Sequence, residues 1–110
     1  MTVTRVVQIQ SKDSVDAETR DTTLRNVLAM KANCLSQETG EPYIHSILIG
    51  KDISPEPLNN EFTHQFLLEI SNEADRDYYA SQDPAHQMVI EGLKPVIEKI
   101  QIMDIIDGQY

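Results

Sequence analysis

His86 is the residue of this 110-residue chain whose type and position most suggest chemistry. It follows Asp83-Pro84, a typical helix beginning, and therefore lies in the first turn of a predicted helix. The positive end of a helix lowers the pKa of an imidazole and favours its neutral form. Because a neutral imidazole accepts protons near pH 7, His86 is a candidate general base. Simple packing of His86 between helix and sheet explains the position equally well.

Two tyrosines and a second histidine are candidates to complete a site around His86. Tyr78 and Tyr79 lie just upstream, and a phenol can donate a hydrogen bond to the oxygen of a developing enolate. His64 lies in the middle of an apolar strand face, where a satisfied core histidine is the common outcome. His45, in another strand, carries little functional weight.

Arg5 is the one charged residue on a strand face that it shares with Val3, Val7 and Ile9. If that face lines a cavity, the planar guanidinium is suited to hold a substrate carboxylate. If the face is exposed to water, Arg5 is an ordinary surface residue. The sequence leaves both interpretations open.

Several kinds of site are disfavoured by what the sequence lacks. Cys34 is the only cysteine, so no intrachain disulfide can form, and we interpret it as a half-buried small residue. His64, His86 and a carboxylate have the atoms for a metal site, but no spacing requires one, and we predict no metal. Phosphate-binding glycine loops and the nucleophile elbow of esterases are absent, so we expect no cofactor.

The charge of the chain restricts its partners. Eighteen acidic and nine basic residues give a formal net charge of −9, which repels phosphate backbones and anionic lipids. We therefore expect no nucleic acid and no membrane as partner. The N-terminal residues do not resemble a signal peptide, and no apolar run reaches the roughly 18 residues that a membrane helix needs. These features predict a cytoplasmic protein.

Hydrophobic periodicity predicts four strands and two helical regions. The first helix is predicted from Ser14 to about Leu35, capped at Ser14 or Asp16, with an inward stripe of Leu24, Val27, Leu28, Lys31 and Leu35. The second helical region consists of a short helix over Glu73–Ala80 and another that begins at Asp83 and is interrupted at Pro95. The predicted strands are Val3–Gln10, Tyr43–Gly50, Phe62–Ile70 and Ile100–Asp107.

This order, β-α-β-β-α-β, is typical of the α+β class with a ferredoxin-like split βαβ topology. We expect residues 1–110 to form one domain with both helical regions on one side of the sheet. The uncovered face would carry Phe62, Phe66 and Leu68, which is too apolar for water. A second copy of the chain would cover it, and the sequence thus predicts a homodimer.

Five short motifs resemble the stress-responsive dimeric α/β-barrel family, often abbreviated Dabb. They are Phe62-Thr-His64, Asp77-Tyr78-Tyr79, Asp83-Pro84-Ala85-His86, Lys94-Pro95 and Ile102-Met-Asp104. The resemblance covers nearly the whole chain and implies a ferredoxin-like subunit that forms a dimeric α/β barrel with a cleft between sheet and helices. The sequence departs from the family pattern in Asp83, where a histidine is frequent.

The resemblance also implies a function. Family members of the olivetolic acid cyclase type close a linear poly-β-ketone by an aldol reaction, which implies a cofactor-free polyketide cyclase or lyase of secondary metabolism. In that case His86 is the base, Tyr79 stabilises the enolate and His64 orients the substrate, while Arg5, Phe62, Phe66 and Tyr78 bind it. The alternative is a non-catalytic, stress-responsive homodimer that binds a small apolar ligand.

Overall fold

A computed structural model describes all residues, 1–110. Its elements follow one another as β1 Val3–Ser11, α1 Ala17–Asn26, a 3-10 turn Val27–Ala29, α2 Met30–Asn33, β2 Ile44–Lys51, β3 His64–Ile70, α3 Glu73–Ser81, α4 Pro84–Leu93 and β4 Ile97–Ile105. The strands form one antiparallel sheet in the order β2-β3-β1-β4. This is the predicted α+β ferredoxin-like fold, in which β3 lies between β2 and β1.

The helices cover one face of the sheet, and the hydrophobic core lies between these two layers. Strand β1 supplies this face with alternate residues from Val3 to Ile9, and β3 supplies Phe66, Leu68 and Ile70. The helices contribute residues such as Leu24 and Leu93. The two central strands are therefore the best buried, because the helices lie above them.

The predicted orientation of β3 was wrong. Phe66 and Leu68 do not lie on the uncovered face; they point into the core and are 3% and 0% exposed. Phe62 precedes the strand, which begins at His64. The side-chain alternation was right, but periodicity alone does not say which face meets the helices.

The uncovered face carries the other set of alternating residues. One row crosses all four strands in register and is apolar: Leu48, Leu67, Val6 and Met103. Beside it lies a polar row, in which Gln101 donates to Gln8 at 2.9 Å and Gln8 donates to Gln65 at 2.8 Å. The face is thus a mixed surface rather than the aromatic one that was predicted.

A register irregularity changes the orientation of residues at the start of β2. The pairing with β3 shifts between Ile44 and Ser46, so that Tyr43 and Ile44 are both buried while His45 is exposed. The sequence prediction put Tyr43 and His45 on one face. A bulge adds one residue and breaks the alternation, and no periodic pattern anticipates it.

The first helical region is shorter than predicted and is not uniform. Asp16 caps α1 by accepting from the Thr19 N–H at 2.8 Å, which confirms one of the two predicted caps. The helix narrows to a 3-10 turn at Val27 and ends at Asn33. The residues it buries are Leu24, Val27, Met30 and Cys34, whereas Leu28 and Leu35 are exposed. Cys34 is therefore fully buried, and burial raises the pKa of its thiol to about 12.

The second helical region is divided as expected. Asn72 caps α3, and Asp83 caps α4 by accepting from the Ala85 N–H at 2.9 Å, with Pro84 as the first helical residue. Helix α4 ends at Leu93, before Pro95, and β4 begins earlier than predicted, at Ile97. None of the helices is long and apolar enough to cross a membrane.

Candidate functional site

Tyr79 and His86 form a stacked pair at the corner between α3 and α4. Their ring centroids are 3.7 Å apart and the ring planes differ by 19°. Tyr79 lies in the last turns of α3, and His86 lies in the first turn of α4 because Asp83 and Pro84 begin that helix. The structure thus brings together two of the residues that the sequence singled out.

The environment of His86 determines which of its nitrogens can accept a proton. Nδ1 lies 2.6 Å from the carbonyl oxygen of Tyr79. A carbonyl oxygen can only accept, so Nδ1 carries the hydrogen and Nε2 of the neutral ring has a free lone pair. Burial lowers the pKa of His86 below its ordinary value, although the hydrogen bond to Tyr79 opposes this shift. The result is a neutral imidazole with an available basic nitrogen.

The phenol of Tyr79 is directed into the protein. Tyr79 is 2% exposed, and its hydroxyl donates to Sδ of Met30 at 3.8 Å. Burial raises the pKa of this phenol, which therefore stays protonated. A thioether is a weak acceptor, so a carbonyl or enolate oxygen would be a stronger partner for the same hydroxyl.

Arg5 lies next to the stacked pair, and it is not a surface arginine. It is 8% exposed, and its guanidinium carbon lies 5.3 Å from the centre of the Tyr79 ring. It holds Asp104 in a two-pronged ion pair, Nε to Oδ1 at 2.9 Å and Nη2 to Oδ2 at 3.0 Å. Asp104 and Arg5 face each other because they are paired residues of β4 and β1.

Asp104 also binds Arg76 of α3, whose Nη1 donates to Oδ2 at 3.0 Å. Burial by itself would raise the pKa of Asp104, but hydrogen bonds and charge from Arg5 and Arg76 outweigh it and hold the pKa low. Sequence reasoning did not identify Arg76 or the function of Asp104 in this network. An acidic residue at an inward position of β4 was the available signal for Asp104.

Two isoleucines extend this region along β4. Ile102 and Ile100 are on the same side of the sheet as Asp104 and pair with Val7 and Ile9. They are 47% and 51% exposed, because the helices do not cover this edge of the sheet. The charged network of Arg5 and Asp104 is therefore continuous with an apolar strip.

His64 lies in a different part of the sheet. It pairs with Ile9, four residues from Arg5 along β1, which corresponds to roughly 13 Å. Its Nδ1 is 2.8 Å from Oγ1 of Thr63, and burial and then Arg20 lower its pKa. The structure thus separates His64 from the corner that holds His86.

The three remaining candidates occupy different environments. Phe66 belongs to the core, and Phe62 lies in the loop before β3 with Nζ of Lys99 4.5 Å from its ring centre. Tyr78 packs edge-on against Tyr43, with ring centroids 6.1 Å apart. Of the two adjacent tyrosines, only Tyr79 stacks on His86. No group of three or more histidine, cysteine or carboxylate side chains is arranged to hold a metal ion.

Comparison with known proteins agrees with this architecture. The family model of the Stress responsive A/B Barrel Domain matches residues 3–107. The chain belongs to this A/B barrel family. No curated protein matches it significantly.

Solved structures show how widely the A/B barrel fold is shared. The chain is similar to At3g17210 from Arabidopsis thaliana, with 21% identity, 98% and 97% of the two chains covered and a TM-score of 0.82. A hydroxynitrile lyase from Passiflora edulis has 19% identity, 99% and 96% coverage and a TM-score of 0.82. A dimeric ferredoxin-like protein of unknown function from Bacteroides fragilis has 18% identity, 94% coverage of both chains and a TM-score of 0.67. At these identities, the likeness concerns the fold.

Proposed function

We propose that this A/B barrel protein is a cofactor-free cyclase or lyase that acts on a polyketide-like or other carbonyl-bearing small molecule. The observation that carries the proposal is the hydrogen bond from Nδ1 of His86 to the carbonyl of Tyr79. It leaves Nε2 as the basic atom of a partly buried ring whose pKa is lowered by burial. A base that is unprotonated near neutral pH suits the removal of an acidic proton next to a carbonyl.

The proposed reaction has one proton-transfer step at each end. Nε2 of His86 removes a proton from the carbon between two carbonyl groups, and the electron pair moves onto oxygen as an enolate. The enolate carbon then attacks another carbonyl carbon of the same substrate molecule. The imidazolium returns its proton to the alkoxide that forms there. The Tyr79 hydroxyl, released from Met30, would stabilise the enolate oxygen, and the cationic Arg5–Arg76 side of the network would attract a substrate carboxylate.

The similarity to a hydroxynitrile lyase supports the lyase form of the proposal. Such a cleavage also begins with a base: removal of the hydroxyl proton of a hydroxynitrile allows the carbon–carbon bond to break, with release of cyanide and formation of a carbonyl. Nε2 of His86 would remove that proton. Both forms of the proposal thus need the same basic nitrogen.

The alternative function is a non-catalytic homodimer that binds a small apolar ligand. The half-exposed strip of Ile100 and Ile102 favours this alternative, since it offers apolar surface without any reactive group. The groove between α1–α2 and α4 is also partly apolar, and Met30, Ala85 and Val89 contribute to it.

The experiment that tests the proposal compares His86→Ala with His45→Ala over a panel of β-polyketide acids and hydroxynitriles. His45 is exposed in β2 and serves as a matched control. We expect wild-type turnover of at least one compound, a loss of about 100-fold or more in His86→Ala, and none in His45→Ala. Binding of panel compounds without turnover would favour the ligand-binding alternative, and equal turnover by His86→Ala would remove His86 from the chemistry.

We also infer that two copies pair through the uncovered face of the sheet. Several structures of the same fold are described as dimeric. In this chain Leu48, Met103 and Ile105 are exposed on that face, at 67%, 63% and 51%. A second sheet would remove these side chains from water, which favours association.

A further inference from the structure

The corner between α3 and α4 contains a buried carboxylate that the proposed reaction does not use. Asp83 is 2% exposed, and none of the ion pairs of the chain includes it. One of its oxygens accepts from the Ala85 N–H at 2.9 Å, and the other accepts from the hydroxyl of Tyr43. A buried carboxylate without a cation is costly unless hydrogen bonds and a helix dipole stabilise it. Both of these are present here.

Tyr43 is fixed to the framework of the sheet. Its backbone N–H donates to the carbonyl of Cys34 at 3.4 Å, and its carbonyl accepts from the Ser71 N–H at 3.0 Å. The residue is 2% exposed. Its hydroxyl therefore links the sheet framework to the helical corner through Asp83.

Asp83 in turn closes the corner that holds both rings of the stack. Its N–H donates to the carbonyl of Tyr78 at 3.0 Å, and its side chain caps the turn of α4 that contains His86. The imidazole of His86 then reaches back to the carbonyl of Tyr79. A shift of Asp83 would therefore change where α4 begins relative to the end of α3.

We propose that the buried Tyr43–Asp83 pair positions His86. The hydroxyl of Tyr43 holds the carboxylate of Asp83, and the carboxylate holds the first turn of α4, so that the imidazole stays stacked on Tyr79 with Nε2 in a fixed direction. Tyr43 and Asp83 are positioning residues, since neither contacts the basic nitrogen. Their importance for turnover rests on the proposed function, but their effect on ring geometry can be measured without any substrate.

The test uses Tyr43→Phe, which removes only the hydroxyl, and Tyr78→Phe as a matched control. Tyr78 packs against Tyr43 at the same corner, but its hydroxyl makes no hydrogen bond within the chain. NMR of the His86 ring protons reports the stack, because the Tyr79 ring shifts them upfield. We expect Tyr43→Phe to reduce this shift and to move the pKa of His86 up towards its ordinary value, while Tyr78→Phe changes neither.

A second variant, Asp83→Asn, separates a displacement of the His86 ring from the effect of the negative charge on its pKa. The groups that face His86 are Asp83 at the cap, Arg5 from β1 and Tyr79 from α3. In Asp83→Asn the remaining oxygen can still accept from the Ala85 N–H, but the amide nitrogen can only donate, so the Tyr43 hydroxyl must accept instead of donate, and the negative charge is lost. Loss of charge alone lowers the pKa of His86, since Asp83 favours the imidazolium. A reduced ring shift in Asp83→Asn therefore reports displacement whatever the direction of the pKa change.

Two results would overturn the inference. In the first, Tyr43→Phe lowers the melting temperature but leaves the His86 shift and pKa as in the wild type, so that the pair only stabilises the fold. In the second, Tyr78→Phe disturbs His86 as much as Tyr43→Phe does. With a substrate in hand, we expect Tyr43→Phe to lower kcat by about 10- to 100-fold with little change in KM. If the ring moves but His86→Ala keeps full turnover, the positioning holds and the proposed function fails.

Discussion

At the scale of single residues, His86 combines two properties that suit a base. It is partly buried, which lowers its pKa, and its hydrogen-bonded nitrogen is the one that carries the proton. His64 is also partly buried with a lowered pKa, but its partner is a threonine hydroxyl, which can donate or accept. The tautomer is therefore fixed only for His86.

The lowered histidine pKa values predict a stability that falls in mild acid. Well above about pH 6.5, His64 and His86 are neutral in both the folded and the unfolded chain, so they contribute no pH dependence. As the pH falls below that value the unfolded chain binds protons before the folded chain does, and the free energy of unfolding decreases. We expect the urea midpoint to drop as the pH falls below about 6.5, and His86→Gln to make the drop shallower. If the urea midpoint of His86→Gln depends on pH as steeply as that of the wild type, His86 is well solvated in the folded protein.

A second prediction concerns the stability that the ion pairs of Asp104 provide. Asp104→Asn removes the negative charge that two guanidinium groups share, and leaves Arg5 buried with a weaker partner. We expect the free energy of unfolding to fall by about 3 kcal/mol. The matched variant Arg76→Gln should cost less, because the side chain of Arg76 is 25% exposed against 10% for Arg5. Equal losses, measured by urea denaturation, would contradict this order.

At the scale of elements, the positions of the site residues follow from how each helix begins and ends. Asp83 and Pro84 begin α4, so His86 lies in its first turn, from which its ring reaches the carbonyl of Tyr79 in α3. Pro95 allows the chain to leave the helix and enter β4, where Asp104 faces Arg5. These caps and breaks are local signals, and the sequence predicted them correctly.

Gly92 and Gly40 provide a matched test of how the backbone conformation of a helix and of a turn affects stability. Gly92 lies in α4 with no atom within 4 Å of the position that a Cβ would occupy, whereas Gly40 lies in a turn with φ +72°. Gly92→Ala should raise the free energy of unfolding by about 0.5–1 kcal/mol, because alanine loses less backbone entropy in a helix. Gly40→Ala should lower it by about 1–2 kcal/mol, because a Cβ disfavours the left-handed conformation. Chemical denaturation of both variants measures these changes. Changes of the same sign would mean that the backbone conformation at these two positions does not determine the effect of the substitution.

At the scale of the whole molecule, one face of the sheet has no covering layer in the single chain. The row of Leu48, Leu67, Val6 and Met103 crosses all four strands, beside the row of linked glutamines. The helices protect the opposite face only. The uncovered face is therefore the surface by which the proposed assembly can be tested.

We expect the wild-type protein to sediment as a dimer, and Leu48→Glu and Met103→Glu to sediment as monomers. A carboxylate in a closed interface would lose its hydration without gaining a partner. Met88→Glu is the matched control, since Met88 is 77% exposed on the helical side and is as accessible as Leu48, at 67%, and Met103, at 63%. A monomeric wild type, or equal dissociation of all three variants, would exclude this face as the interface. Analytical ultracentrifugation with circular dichroism separates dissociation from unfolding.

The local features of this protein could be predicted from its amino-acid sequence alone. The strand periodicity, the cap at Asp83, the break at Pro95 and the order of elements indicated the ferredoxin-like topology, because each depends on residues close together in the chain. The same reasoning correctly placed His86 in the first turn of a helix. Tyr78 and Tyr79 were adjacent candidates in the sequence. The helical geometry of α3 shows that Tyr79 is the one whose ring stacks on His86.

The features that depend on contacts between distant parts of the chain could be read only from the three-dimensional fold. Which face of β3 is buried, the pairing of Arg5 with Asp104 and the separation of His64 from His86 all follow from strand register and helix placement. The bulge at the start of β2 changed the side of the sheet on which neighbouring residues lie. A one-residue change in register reverses every side chain of a strand, so alternation predicts the sets of residues but not the layer that each set contacts.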